Sequence, residues 1–85
     1  MSKKSIDIEY ESVGENEFIV NIFVDNKNQN LSFGLCEFEN EMEYLGFATK
    51  LVDIDGKSGF LFSKTINKEM LEREIKRFAA HYDII

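Results

Sequence analysis

The segment from Glu17 to Val24 most constrains the fold, because apolar side chains occupy both parities of what would be a strand. They occupy four positions of one parity and two of the other: Phe18, Val20, Ile22 and Val24, then Ile19 and Phe23. A strand that is apolar on both sides lies inside a sheet. The chain therefore needs partner strands for this segment and cover for both of its faces.

The preceding segment, Ser5 to Val13, predicts one partner strand. Ile6, Ile8 and Tyr10 share one parity and acidic residues fill the other, which is typical of a half-buried strand. The tripeptide from Gly14 to Asn16 is a turn signal that separates this strand from the next.

A second hairpin is predicted near the C-terminus. Asp55-Gly56, a preferred two-residue turn, separates Thr49 to Ile54 from Lys57 to Phe62. With such a turn, Leu51 faces Phe60 across the two strands.

The middle of the chain leaves alternatives open. The polar residues 25–30 predict a loop that closes a hairpin. Leu31 to Phe38 is predicted as a strand, and a change of apolar parity next to Gly34 indicates a β-bulge or a strand end. Asn40 to Val52 favours a strand, but Asn40 and Glu43 have the spacing of a helix capping box, so a second helix is the alternative.

The segment from Ile66 to Tyr82 predicts the one clear helix, because its apolar residues recur with a period of 3.6. Asn67 suits the N-cap, and Ile66 and Leu71 have the spacing of a hydrophobic staple. The expected fold is α+β: an antiparallel sheet of four to five strands with one C-terminal amphipathic helix on one face. We expect a single domain over residues 1–85, with residues 1–4 as a flexible tail.

Length, composition and cysteine count limit the size of the core and the cellular compartment. A chain of 85 residues that is 44% hydrophobic has enough apolar material for one packed core. The single cysteine cannot form an internal disulfide, and no apolar run suits a signal peptide or a membrane span. We therefore expect a cytoplasmic protein with no membrane partner.

Catalytic and metal-binding patterns are sparse. Cys36 and His81 form the only Cys and His combination, and both are interpreted as packing residues. Asp53 to Gly56 resembles the start of a calcium loop, but Leu51 and Phe62 would stand where acidic ligands are required. We expect no catalytic residue, no cofactor and no metal site, and hence no enzyme.

Charge supplies the first functional signal. The net charge is -6, which disfavours direct binding of nucleic acid. Residues 5–45 contain ten acidic residues and one lysine, a net charge of -9. If both acidic segments are strands, they form two ladders with carboxylates about 6.6 to 6.8 Å apart. Their members are Asp7, Glu9 and Glu11, then Glu37, Glu39, Glu41 and Glu43.

The second functional signal is a shortage of cover for apolar residues. One helix buries one face of the sheet and leaves Ile19 and Phe23 on the other face. The open explanations are a homodimer packed sheet to sheet, a partner protein, or a second helix within Asn40 to Val52. We hypothesise a small regulator or inhibitor that binds a protein partner of basic, nucleic-acid-handling type through its acidic strands and these apolar residues. The alternatives are a structural homo-oligomer subunit without a ligand, and an acidic face that only keeps the protein soluble.

Overall fold

The computed structural model describes residues 4–85 and has the α+β class that the sequence predicts. Residues 1–3 of the predicted tail lie outside the described residues, and Lys4 is exposed. The elements in chain order are β1 (Ile6–Ser12), β2 (Glu17–Val24), β3 (Lys27–Asn28), α1 (Asn30–Leu35), α2 (Phe38–Tyr44), β4 (Lys50–Ile54), β5 (Lys57–Ser63) and α3 (Lys68–His81). The antiparallel sheet has the order β1-β2-β5-β4, and β3 pairs with the end of β2.

Strand β2 is interior, as its apolar residues predict. Val20 lies between Tyr10 of β1 and Phe60 of β5, so the residues of this row share one face of the sheet. That face, the inner face, carries the helices. The residues of opposite parity form the outer face, which includes Ile19 and Leu61.

The two-residue turns are formed by residues that tolerate positive φ. Asp25 and Asn26 have φ of 51° and 67°, and Asp55 and Gly56 have 53° and 80°. Positive φ at both central residues matches the turn that suits the twist of a hairpin. Leu51 pairs with Phe60, which confirms the predicted register of the second hairpin.

Helix α3 also confirms its prediction. The Asn67 side chain accepts a hydrogen bond from the backbone N–H of Met70 at 3.1 Å, and so caps the helix. Leu71, Ile75 and Phe78 are buried on one stripe of the helix.

The predicted strand over Leu31 to Phe38 is wrong, and so is the strand over the first half of Asn40 to Val52. These residues form α1 and α2, and only Lys50 onwards is extended. The helical form turns Phe33, Phe38 and Met42 into the core, where each is buried. Alternation in the sequence was overridden by this tertiary burial.

The core lies between the inner face and the three helices. Phe38 is central: its ring lies 4.7 Å from Phe60, 5.1 Å from Phe78 and 5.3 Å from Phe33, measured between ring centroids. Such tilted and edge-to-face pairs stabilise a core beyond the area they bury. Helix α2 therefore packs on the same inner face as α3, and it does not cover Ile19 on the outer face.

Asn30 joins α1 to the sheet at the point where β5 leaves β2. Its buried side chain accepts a hydrogen bond from the backbone N–H of Ile22 at 3.0 Å and donates one to the Asn21 side chain at 2.7 Å. The Asn30 amide thus replaces the missing strand partner of Ile22.

The outer face is covered by a bend in the β4–β5 hairpin. Leu61 pairs with Ile19, so a straight β5 would place Lys57 about 13 Å farther along the sheet. Instead Lys57 forms an ion pair of 3.5 Å with Glu11, which pairs with Ile19 from β1. The bend occurs at Gly59, and Ile19 is left with no exposed surface.

Candidate functional site

The structure separates the two predicted acidic ladders. Asp7, Glu9 and Glu11 do lie on one strand, exposed on the outer face of β1. The second ladder is wrong, because Glu37 precedes α2 in a left-handed conformation and its fellow acids belong to that helix: Glu39, Glu41 and Glu43. A helix distributes these carboxylates around its axis instead of aligning them.

The apolar residues predicted to accompany the ladders are not both accessible. Ile19 is fully buried under the bent hairpin, and Phe23 is half-buried. The prediction of an uncovered outer face is therefore corrected for Ile19. The β1 ladder keeps its charge but lacks an exposed apolar anchor beside Glu11.

Exposed apolar side chains gather instead where α1 meets β4. Leu31 and Leu35 are one helical turn apart on α1 and are 70% and 76% exposed. Leu51 of β4 is 39% exposed and lines the same groove, of about 500 Å³, as Leu31. We call these three residues the leucine surface.

Carboxylates flank the leucine surface. Asp53 lines the shared groove, and a Glu39 oxygen accepts a hydrogen bond of 3.3 Å from the backbone N–H of Leu51. Neither acid forms an ion pair with a cation in residues 4–85. The leucine surface therefore combines accessible apolar area with negative charge that is not neutralised.

Strand β4 is an edge of the sheet, so one side of its backbone has no strand partner among residues 4–85. Because the N–H of Leu51 points to Glu39 and away from β5, the alternation of an antiparallel pair directs Asp53 to the same free side. The free backbone edge thus adjoins the leucine surface. Glu39 occupies one donor of that edge.

A second concavity, of about 230 Å³, separates α2 from α3. Apolar atoms of Met42, Leu45 and Phe78 meet charged groups at its rim, including Glu41 and Arg77. Arg77 already pairs with Glu74 at 3.6 Å. Compared with the leucine surface, this cleft has less exposed leucine area, and part of its charge is neutralised. It is therefore the weaker candidate for a binding site.

Among the described residues, Tyr10 is the one whose pKa is clearly shifted from its ordinary value. Burial, the hydrogen bond that it donates to Glu72 and the negative charge of Glu72 together raise the pKa of Tyr10. The Lys68 ammonium lies over the Tyr10 ring, 4.6 Å from its centroid. This group ties β1 to α3, and we interpret it as structural.

The residues considered for catalysis are in ordinary surroundings. Cys36 is half-buried and packs against the core, and His81 is exposed in the last turn of α3. Within residues 4–85, no three His, Cys, Asp or Glu side chains come together in a way that could hold a metal ion. None of the helices in the same range is long and apolar enough to cross a membrane.

Sequence reasoning missed the leucine surface because it treated Leu31 and Leu35 as core residues of a strand. A signal was present: with Phe33 alone turned inward, the two leucines share the opposite stripe of a helix. In a strand Leu31, Phe33 and Leu35 would share one face, whereas in a helix the two leucines are neighbours and Phe33 points away from them.

No protein-family model, curated protein or solved structure matches this chain.

Proposed function

We propose that this protein is a small cytosolic regulator or inhibitor that binds a basic protein partner at the leucine surface. The observation that supports it is that exposed leucines lie beside Asp53 and Glu39, which form no ion pair within residues 4–85. Buried apolar anchors provide most of the affinity of a protein interface, and charge mainly provides steering and specificity.

The proposed site therefore lies at the junction of α1, α2 and β4, and not on the acidic strands. The β1 ladder has charge, but Glu11 is engaged by Lys57 and Ile19 is buried. Its remaining exposed acids, Asp7 and Glu9, contribute to the long-range attraction of a basic partner. Partner contact itself is assigned to the leucine surface and to Glu39 and Asp53.

The test uses two variants with the same change in net charge. Glu39→Lys with Asp53→Lys reverses charge at the leucine surface, and Asp7→Lys with Glu9→Lys does so on β1. Each is immobilised and exposed to host lysate at ionic strengths of about 0.01 and 0.15 M, where the screening length falls from about 30 to about 8 Å. Proteins retained by the wild type are purified and titrated individually.

We expect the purified partner to bind more weakly at the higher ionic strength and to lose binding to the Glu39 and Asp53 variant. The β1 variant should bind with a lower association rate and a similar dissociation rate. Retention that neither salt nor the Glu39 and Asp53 variant changes would contradict the proposal. Thermal unfolding of both variants establishes that each remains folded.

The competing function is a structural homo-oligomer subunit, and the exposure of Leu31 and Leu35 is the observation that favours it. Sedimentation velocity separates the two functions. A stable oligomer that the substitution Leu31→Ser dissociates would support the homo-oligomer, whereas a monomer of 9.9 kDa at high concentration would exclude it.

A further inference from the structure

The free edge of β4 defines how a partner can dock, because it lies directly beside the leucine surface. An edge strand offers unpaired N–H and C=O groups to any extended segment that approaches it. The outward groups here belong to Leu51 and Asp53, and Leu31 lies across the groove from them. Backbone pairing and apolar contact are thus available at one place.

We propose that the partner contributes an extended segment with basic and apolar residues, which adds to the sheet as a strand beside β4. This inference rests on the proposed function and specifies its binding mode. Main-chain hydrogen bonds would provide affinity, and the groove at Leu31 and Leu51 would select apolar side chains.

Charge selects a basic segment as the occupant. The charged side chain that lines the groove is that of Asp53, and Glu39 reaches the edge from α2. Lysine or arginine side chains in the incoming segment would pair with these carboxylates at short range.

Charge also disfavours a second copy of this chain. Antiparallel self-pairing centred on Val52 would place Asp53 of each copy opposite Leu51 of the other, where Glu39 already lies. Two carboxylates would then meet at each end of the paired region, and like charges oppose such pairing. Charged residues on an edge commonly prevent this kind of self-association.

Glu39 accepts a hydrogen bond at the free edge that a binding partner can displace. Its hydrogen bond to Leu51 is exposed and 3.3 Å long, so an incoming carbonyl oxygen can take its place. The released carboxylate then remains beside the segment and can pair with a basic side chain.

The test uses a labelled seven-residue peptide in which lysine and valine alternate, and the same peptide N-methylated at every residue. Methylation removes the backbone donors and retains charge and side chains. We measure binding by fluorescence anisotropy at low ionic strength, and amide hydrogen exchange of the protein by NMR.

The unmethylated peptide should bind at least about tenfold more tightly than the methylated one, because several backbone hydrogen bonds are lost together. Its binding should slow exchange at the amides of Leu51 and Asp53. The substitution Leu31→Ser should weaken binding, and Met70→Ser, a matched change of an exposed residue on α3, should leave binding unchanged.

Equal binding of the two peptides, with no protection at Leu51 or Asp53, would overturn strand addition and leave the proposed function standing. Failure of the unmethylated peptide to bind would also overturn strand addition, while the lysate experiment with the charge-reversal variants decides the proposed function separately. If the amides of Leu51 and Asp53 were protected from exchange without peptide at high protein concentration, a second copy of the chain would bind this edge. That result would overturn the basic segment as occupant.

Discussion

Gly59 lies so close to Ile19 that no side chain fits between them. A Cβ atom added to Gly59 would stand 2.1 Å from Cγ2 of Ile19 and 2.7 Å from the carbonyl oxygen of Val20. Gly59 also has a φ of +155°, which other residues rarely adopt. This close approach accompanies the bend that carries Lys57 over the outer face and buries Ile19.

The substitution Gly59→Ala should lower the free energy of unfolding by about 2 to 4 kcal/mol, because overpacking and backbone strain add. Urea denaturation measures the change. Gly34→Ala is the matched control: Gly34 lies in α1 with no atom within 4 Å of the added Cβ, so alanine should stabilise the helix by about 0.5 to 1 kcal/mol. Equal stability of the two variants would contradict the close packing of Gly59.

Asn30→Ala should lower the free energy of unfolding by about 2 to 3 kcal/mol. The substitution removes the side chain that accepts a hydrogen bond from the backbone N–H of Ile22, and it leaves that buried donor without a partner. Asn40→Ala on the exposed surface of α2 should change stability by less than about 0.5 kcal/mol. Chemical denaturation of both variants compares the two costs, and similar values would show that Asn30 does not complete the sheet.

Tyr10 should make stability sensitive to alkaline pH. Since the folded state raises the pKa of Tyr10, it favours the neutral phenol. This stabilisation is complete below the pKa of an unfolded tyrosine, about 10, and is lost as the pH rises above it toward the higher folded value.

The free energy of unfolding of the wild type should therefore decline more steeply above about pH 10 than that of Tyr10→Phe. Denaturation at a series of alkaline pH values measures both slopes. Tyr44→Phe, which changes a tyrosine with 89% of its surface exposed, should keep the wild-type slope. Identical slopes for wild type and Tyr10→Phe would refute the assignment.

The ion pair between Lys57 and Glu11 should have a coupling energy of about 0.2 to 1 kcal/mol, because both side chains are half exposed. A double-mutant cycle with Lys57→Ala and Glu11→Ala measures the coupling, which should decline with added salt. No coupling at low salt would contradict this ion pair.

Local sequence patterns correctly predicted those elements in which the apolar period of the sequence matches the face that is buried in the structure. The period of 3.6 in α3 and its Asn67 cap were sufficient, because helix amphipathicity and capping depend on neighbours within one or two turns. The Asp55-Gly56 turn likewise determined the pairing of Leu51 with Phe60, because a two-residue loop sets the register of its hairpin.

The same patterns misplaced α1 and α2. Phe33 and Phe38 have positions that fit either a strand or a short helix, and periodicity cannot separate the two over six or seven residues. The candidate site depended on this choice, because Leu31 and Glu39 meet the edge of β4 in a structure where their segments are helical.

The sequence by itself determined an acidic α+β domain with an interior β2, a C-terminal helix and charge concentrated in its first half. Those properties follow from composition, short-range periodicity and turn chemistry. Only the tertiary structure decided that Gly59 lets the hairpin bury Ile19 and that the exposed apolar surface lies at Leu31, Leu35 and Leu51. These outcomes depend on contacts between residues far apart in the chain, which no local pattern contains.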